Sequence, residues 1–257
     1  MNRIQNYEIL KQKIIYWIKN YIETNFIKSL IVGVSGGIDS AVVSTLCAET
    51  NIKTYVLNMP IHQDKEQENL SDLHINFLLK KYSNVESLKF NLSNTFDNFL
   101  KDLSPYNLNK LANANSKSRI RMICLYQIAG NFNGIVVGTG NKVEDYGIGF
   151  YTKYGDGGVD IAPIADLYKT EVWELGKILN IDKKIINAKP TDGLWDDGRS
   201  DEDQIGCSYE ELEWAMHEGQ FKIDLNEKEK KILNIYNNFH NKNKHKMESI
   251  PTFKLED

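Results

Sequence analysis

Apolar and polar positions along the chain follow two alternating periods. Tyr7, Leu10, Ile14, Trp17, Ile18, Tyr21 and Ile22 recur at helical spacing, which predicts an amphipathic helix over 6–25, packed on a sheet or a partner subunit. A strand is expected near 29–34 around Leu30-Ile31-Val32, and a helix from Ala41 to about Glu49. Residues 52–57 and 85–90 read as further strands, with a polar helix over 64–81 between them. Helical patterns over 93–103 and from Asn107 to about Asn131 lead to a fourth strand, Ile135-Val136-Val137. From Asp145 to Gly158, and again from Pro190 to Gly206, no period is visible, and both segments are expected to be loops, the first a binding loop. Val159 to Ile164 is a short apolar segment, and Thr170 to Asn180 is a helix. Ser208-Tyr209-Glu210-Glu211 forms a capping box that opens another helix. The last helix runs from Asn226 to about Phe239, with a basic tail after it. Alternating strands and helices imply an α/β fold, a parallel sheet with helices on both faces, whose ligands lie beyond the carboxyl ends of the strands.

The stretch Gly33-Val34-Ser35-Gly36-Gly37-Ile38-Asp39-Ser40 falls where the first strand passes into a helix. Glycines free the backbone to adopt positive φ and let a phosphate approach successive N–H groups, while the helix N-terminus adds unpaired donors and partial positive charge. Asp39 is an anion inside a phosphate cradle, so a divalent cation is needed between the two, which makes Asp39 a candidate magnesium ligand. A Walker loop needs Gly-Lys before Ser or Thr, and a dinucleotide fingerprint needs Gly-x-Gly-x-x-Gly; the stretch satisfies neither. It resembles the PP-loop of the N-type ATP pyrophosphatases, which cleave ATP between the α and β phosphates and pass AMP to an acceptor. The fold implied is Rossmann-like, of the adenine nucleotide alpha hydrolase kind. The plainer alternative is a turn that uses glycine for tightness alone.

Composition narrows the classes. A formal charge of −4 over 257 residues argues against protein-wide attraction to nucleic acid or to an anionic membrane. No apolar run approaches the roughly 20 residues that span a bilayer, and the first residues lack a signal-peptide core, so a cytoplasmic location is expected. Cys47, Cys124 and Cys207 show no paired spacing and read as thiols rather than zinc ligands or nucleophiles.

Four further groups carry polar chemistry. In Lys117-Ser118-Arg119-Ile120-Arg121, the two arginines cannot point the same way on a helix, so one is expected to serve a ligand and the other structure. Gly138-Thr139-Gly140-Asn141-Lys142-Val143-Glu144-Asp145 follows the fourth strand; Thr139 suits a nucleotide, and Glu144 can share a metal with Asp39. Phe150-Tyr151-Thr152-Lys153-Tyr154-Gly155-Asp156 through Asp160 combines aromatic faces with a cation for phosphate. Lys189-Pro190-Thr191 through Asp203, with Asp192, Trp195, Asp196-Asp197-Gly198 and Arg199, has the density of Trp and Asp expected of a lid.

Taken together, the chain resembles the ammonia-dependent NAD synthetases. The likeness rests on Gly-Thr-x-Asn-Lys-x-Glu at 138–144, Phe-Tyr-Thr-Lys-Tyr-Gly-Asp-Gly at 150–157, Pro-Ile…Leu-Tyr-Lys-Thr at 163–170, Lys-Pro-Thr…Gly-Leu-Trp at 189–195, Asp-Glu at 201–202 and His245-Lys246-Met247, in that order behind the PP-loop. The resemblance implies that Gly33, Val34, Ser35, Gly36, Gly37, Ile38, Asp39 and Ser40 hold ATP, with Thr139, Lys169 and Thr191 as further contacts. It implies magnesium on Asp39 and Glu144, and deamido-NAD on Arg119, Lys153, Asp160, His245 and Lys246. The implied reaction joins the nicotinate carboxylate to AMP, releases pyrophosphate and lets ammonia displace AMP. Asp39 and Lys169 are its catalytic candidates. Because ammonia attacks only when neutral, Asp156 or Asp160 is a candidate proton acceptor.

The chain is expected to be one domain over 1–257, since a PP-loop starting by residue 33 leaves no room before it for the amidase domain of glutamine-using relatives. The resemblance also implies a homodimer acting on small molecules. A PP-loop tRNA-modifying enzyme should instead show a basic surface and often a cysteine pair. A non-catalytic adenine-nucleotide-binding module should lack Asp39, Glu144 and the cationic loops.

Overall fold

The computed structural model describes residues 3–106, 109–191, 193 and 200–255. Its sheet contains β1 (Ser29–Gly33), β2 (Lys53–Asn58), β3 (Val85–Lys89) and β4 (Gly134–Val136), all parallel, in the spatial order β3-β2-β1-β4. Ile31 lies opposite Tyr55 on one side and Val136 on the other. The chain builds outward through β2 and β3, then returns to lay β4 on the far side of β1. That reversal opens a crevice beyond the carboxyl ends of β1 and β4, where ligands bind in such sheets.

Both faces are covered at β1 and β2, which is why those strands read as apolar runs, whereas the edge strand β3 exposes Glu86, Ser87 and Lys89. Leu30, Val32, Ile135 and Val137 face Ile18 and Ile22 of α1 (Tyr7–Thr24) and Val42 and Leu46 of α2 (Ile38–Glu49). Val56 and Val34 meet Ile75 and Leu78 of α3 (Lys65–Lys81). Ile31, Leu57 and Val136 point the other way, onto Leu125, Ile128 and Ala129 of α5 (Lys110–Asn131), against which α4 (Ser93–Asp102) also packs. Each fully buried Leu, Ile or Val contributes about 1.5–3 kcal/mol of transfer free energy. Val172 and Leu175 of α6 (Lys169–Ile178) and Ile185 of α7 (Lys183–Ile186) complete the first face.

The second half departs from its sequence pattern. The supposedly patternless segment after β4 contains a π-helix, Lys142–Ile148, and the one after Pro190 contains α8 (Asp201–Ile205). Neither is long enough to display a period. The capping box at Ser208 does open α9 (Tyr209–His217). The final helix, α10 (Glu227–Met247), does not stop near Phe239: what reads as a basic tail is its last turns. Lys244, His245 and Lys246 there favour the negative end of the helix dipole. Residues 159–164 contribute only a single parallel bridge, Val137 to Ile161. The π-helix, α8, α9 and α10 share a small separate core around Val143, Ile148, Tyr209, Leu212 and Ile232. Among the described residues no helix is long and apolar enough to cross a membrane.

Candidate active site

The Ser-Gly-Gly stretch is held open by α3. Ser71 Oγ donates to the Val34 carbonyl at 2.8 Å, and Val34 N–H donates to the Leu57 carbonyl at 2.8 Å. Gly36 has φ +94°, and a Cβ there would lie 2.6 Å from the Gln67 carbonyl oxygen, so only glycine fits. Ser40 Oγ donates to the Gly37 carbonyl at 3.0 Å and accepts from Ser35 N–H at 3.2 Å, while Gly37 N–H donates to Ser35 Oγ at 3.2 Å. The two hydroxyls thus shape the turn. No side chain caps α2 at Gly37, which leaves its first turn without a side-chain acceptor, the arrangement that suits a phosphate.

Beside this loop lies an acid–lysine cluster. Lys169 is 2% exposed, and its Nζ donates to Asp39 Oδ2 at 2.5 Å and to Glu144 Oε1 at 2.9 Å. Asn141 Nδ2 donates to Asp39 Oδ1 at 3.1 Å, and the Asn141 Oδ1 accepts from the N–H groups of Val143 and Glu144, starting the π-helix. Gly140 admits the Asp145 carboxylate, which a Cβ would meet at 1.9 Å.

The charges are unequal. Burial and then the opposing pull of Lys169 and push of Glu144 leave the Asp39 carboxyl raised. Burial acts against the Glu144 carboxylate as well, but the Lys169 ammonium and hydrogen bonds from Lys169, Tyr209 and Asn141 outweigh it and lower its pKa. Burial works against the Lys169 ammonium too, yet Asp39 and Glu144 hold its pKa above the ordinary value. Asp145 is pushed well up, by burial first and then by Glu144, Asp156 and Asp39. The site therefore concentrates carboxylates around one buried ammonium.

The residues expected to meet a second substrate come together from three segments. Arg119 Nε and Nη2 donate to the Lys153 carbonyl at 3.4 and 3.3 Å, and Lys153 Nζ donates to the His245 carbonyl at 2.7 Å. Lys246 Nζ donates to the carbonyls of Gly149 and Tyr151, and Tyr151 OH donates to the Lys246 carbonyl at 2.5 Å. Burial lowers the Lys246 pKa. His245 therefore enters this clamp through its backbone. Arg121 turns elsewhere, to the Met59 carbonyl at 3.0 Å and Gln63 Oε1 at 2.9 Å, so the two arginines serve different segments.

Asp156 accepts from Ser118 Oγ at 2.6 Å and from Thr152 N–H at 3.0 Å. Packing around its carboxyl raises its pKa although the residue keeps an exposed side. Asp160 accepts from Val136 N–H at 2.7 Å and Tyr126 OH at 3.1 Å, on the edge of the sheet rather than in the cluster. Thr139 sits in the turn after β4, and Thr191 Oγ1 accepts from Gly193 N–H at 3.2 Å. Asp192, Leu194, Trp195, Asp196, Asp197, Gly198 and Arg199 lie outside the described residues.

Sequence reasoning assigned no role to Asn141, Tyr209, His240 or Asn243. Tyr209 OH reaches Glu144, while His240 Nδ1 and Asn243 Nδ2 bond the Gly147 and Ile148 carbonyls that end the π-helix. His240, Asn243 and Lys246 recur every three residues on α10, a signal visible only once that helix is known to continue. All three thiols are pushed up by burial, Cys207 to about 11, which leaves them unreactive.

A parallel sheet whose first crossover carries a Ser-Gly-Gly-x-Asp-Ser turn, against an acid–lysine cluster from later segments, is the architecture of the PP-loop proteins. A family model described as NAD synthase matches residues 10–250. An NH3-dependent NAD+ synthetase from Carboxydothermus hydrogenoformans is 38% identical over 224 residues, 86% of this chain and 89% of that one. Among solved structures, the NMN synthetase from Francisella tularensis matches with a TM-score of 0.88 and 30% identity, covering 98% of this chain and 100% of the other. The NH3-dependent NAD synthetase from Campylobacter jejuni, in complex with a nitrate ion, matches at 0.78 and 25%, covering 97% and 100%. The chain belongs to the NAD synthase family.

Proposed function

We propose that the protein is a carbon–nitrogen ligase that uses ATP and ammonia to turn the nicotinate carboxylate of deamido-NAD into the carboxamide of NAD, by way of an adenylated carboxylate, releasing AMP and pyrophosphate. The observation that carries this reading is the meeting of Asp39 in the PP-loop with Lys169, 130 residues later, and Glu144. A carboxylate is a poor electrophile because attack adds negative charge to it. Adenylation removes that charge and supplies a leaving group, but it gathers a triphosphate and a carboxylate in one place. Backbone N–H groups of Ile38 to Ser40 receive the β and γ phosphates, and Lys169 neutralises charge nearer the α phosphate.

Asp39 and Glu144 fit magnesium: both present hard oxygen donors, and both already reach one cationic nitrogen. Magnesium, when bound there, offsets phosphate charge and polarises the phosphoryl oxygens. Arg119, Lys153 and Lys246 supply the cationic wall for the second nucleotide, and Asp156 receives the proton that ammonia loses. Ile9, Tyr16 and Trp17 of α1, exposed at 54%, 72% and 45%, support a homodimer as the working form.

The test is an endpoint assay with ATP, magnesium, ammonium and deamido-NAD. NAD, AMP and pyrophosphate are the expected products; ADP as nucleotide product, or no turnover, would sink the reading. A parallel arm replaces ammonium with glutamine, which should fail. A second reading, nicotinate mononucleotide as the acceptor, is favoured by the match to the Francisella NMN synthetase over nearly the whole chain. A higher kcat/KM with the mononucleotide than with deamido-NAD would select it, and the adenylation chemistry would stand unchanged.

A further inference from the structure

Tyr209 is 0% exposed, yet its phenol is not surrounded by apolar groups alone. Its OH lies 2.6 Å from Glu144 Oε1 and 3.2 Å from Asp201 Oδ2, and Lys169 Nζ stands 4.9 Å from the centre of its ring. Its backbone N–H donates to Glu202 Oε1 at 3.0 Å, and Trp173 packs edge-on against the ring at 6.0 Å. A phenylalanine would fill the same volume without the cost of burying a hydroxyl. A phenol has one proton to donate, and the shorter contact goes to Glu144.

We infer that Tyr209 is a positioning residue for the ATP site: its hydroxyl fixes which Glu144 oxygen meets Lys169, and its ring supports the ammonium from below. This rests on the reading above that Glu144 serves bound ATP and its cation. Glu144 and Lys169 are long side chains with several rotatable bonds, and an untethered pair would sample many arrangements. Because Lys169 and Tyr209 both engage Oε1, the carboxylate cannot rotate without breaking both bonds. Tyr209 is held by the packing of the small core and by Glu202, so it passes that rigidity on. No local sequence signal marks it, since it stands in an ordinary capping box.

Tyr209→Phe keeps the ring and removes only the hydroxyl. We expect kcat to fall about 10–100-fold with Tm unchanged. Calorimetry should show weaker binding of ATP in the presence of magnesium and unchanged binding in EDTA. In a Glu144→Gln background the same change should add little, because the two residues act as one unit. Wild-type kcat and magnesium–ATP affinity in Tyr209→Phe would overturn the proposal. So would a full further loss in the Glu144→Gln background. A Tm lowered by more than about 5 °C with magnesium–ATP affinity retained would make the tyrosine structural only, and would overturn it too. If the wild-type protein makes no NAD, the ligase reading fails, while the calorimetric comparison still decides the role of Tyr209.

Discussion

The PP-loop draws its residues from one uninterrupted stretch, Gly33 to Ser40, and presents mainly the backbone of a helix start. The acid–lysine cluster beside it draws Asp39, the Asn141–Glu144 pair, Lys169 and Tyr209 from four segments and works through side chains. Backbone donors need only a conformation, which glycine and a helix start provide locally. A buried ammonium shared by two carboxylates needs three elements delivered to within a few ångströms of one another. The first kind of site survives many changes elsewhere in the chain; the second depends on the whole fold.

The hardest blow to that comparison is Lys169→Met. It leaves Asp39 and Glu144 buried without their cation, and breaking such a pair costs about 3–5 kcal/mol. Urea denaturation should show that loss, with turnover lower by about a hundred- to a thousandfold. Undiminished stability would mean that the cluster is not the tightly coupled unit its distances describe. Gly36→Ala strikes the other region. Positive φ and contact with the Gln67 carbonyl together cost about 1–3 kcal/mol, and ATP affinity should fall further than stability does. An alanine variant that binds ATP normally would show that the loop is not read through its backbone.

The smallest effect on turnover concerns pH behind the PP-loop, where the change is in stability alone. His74 is 1% exposed, its Nε2 lies 3.0 Å from Ser44 Oγ, and burial lowers its pKa to about 4. An unfolded histidine takes up a proton near pH 6.5, whereas the native one does so only near the lowered value. The unfolded state thus holds more protons between the two, and stability falls as pH falls through that window, by about 3 kcal/mol at its acid end. A His74→Gln variant should lose less stability than wild type between pH 6.5 and 4, as followed by denaturation at a series of pH values. Parallel curves for the two proteins would refute the assignment.

Much of the first region was legible. β1 and β2 follow the apolar runs because both of their faces are covered, and the capping box at Ser208 states the start of α9 in local hydrogen bonds. The π-helix over Lys142–Ile148 was not legible, because a single turn shows no period and its carbonyls are satisfied by α10 from nearly a hundred residues away. The length of α10 was underestimated because its last turns carry few apolar residues. They are held instead by Asn243 bonding to the end of the π-helix, by Lys246 bonding to the Gly149 and Tyr151 carbonyls and by the Lys153 ammonium. Glu144 was named from its place after the fourth strand and Lys169 from motif resemblance, and their contact came only with the fold.

The amino-acid sequence by itself determined the alternation of strands and helices, the glycine–serine turn at the first crossover and the family. Those rest on local backbone preference and on apolar spacing, which short stretches carry whole. Tertiary structure alone decided that Lys169 bridges two acids, that Tyr209 stands behind one of them and that α10 caps the π-helix. Each of those depends on where distant segments meet, and burial makes their charges matter to one another only after they have met.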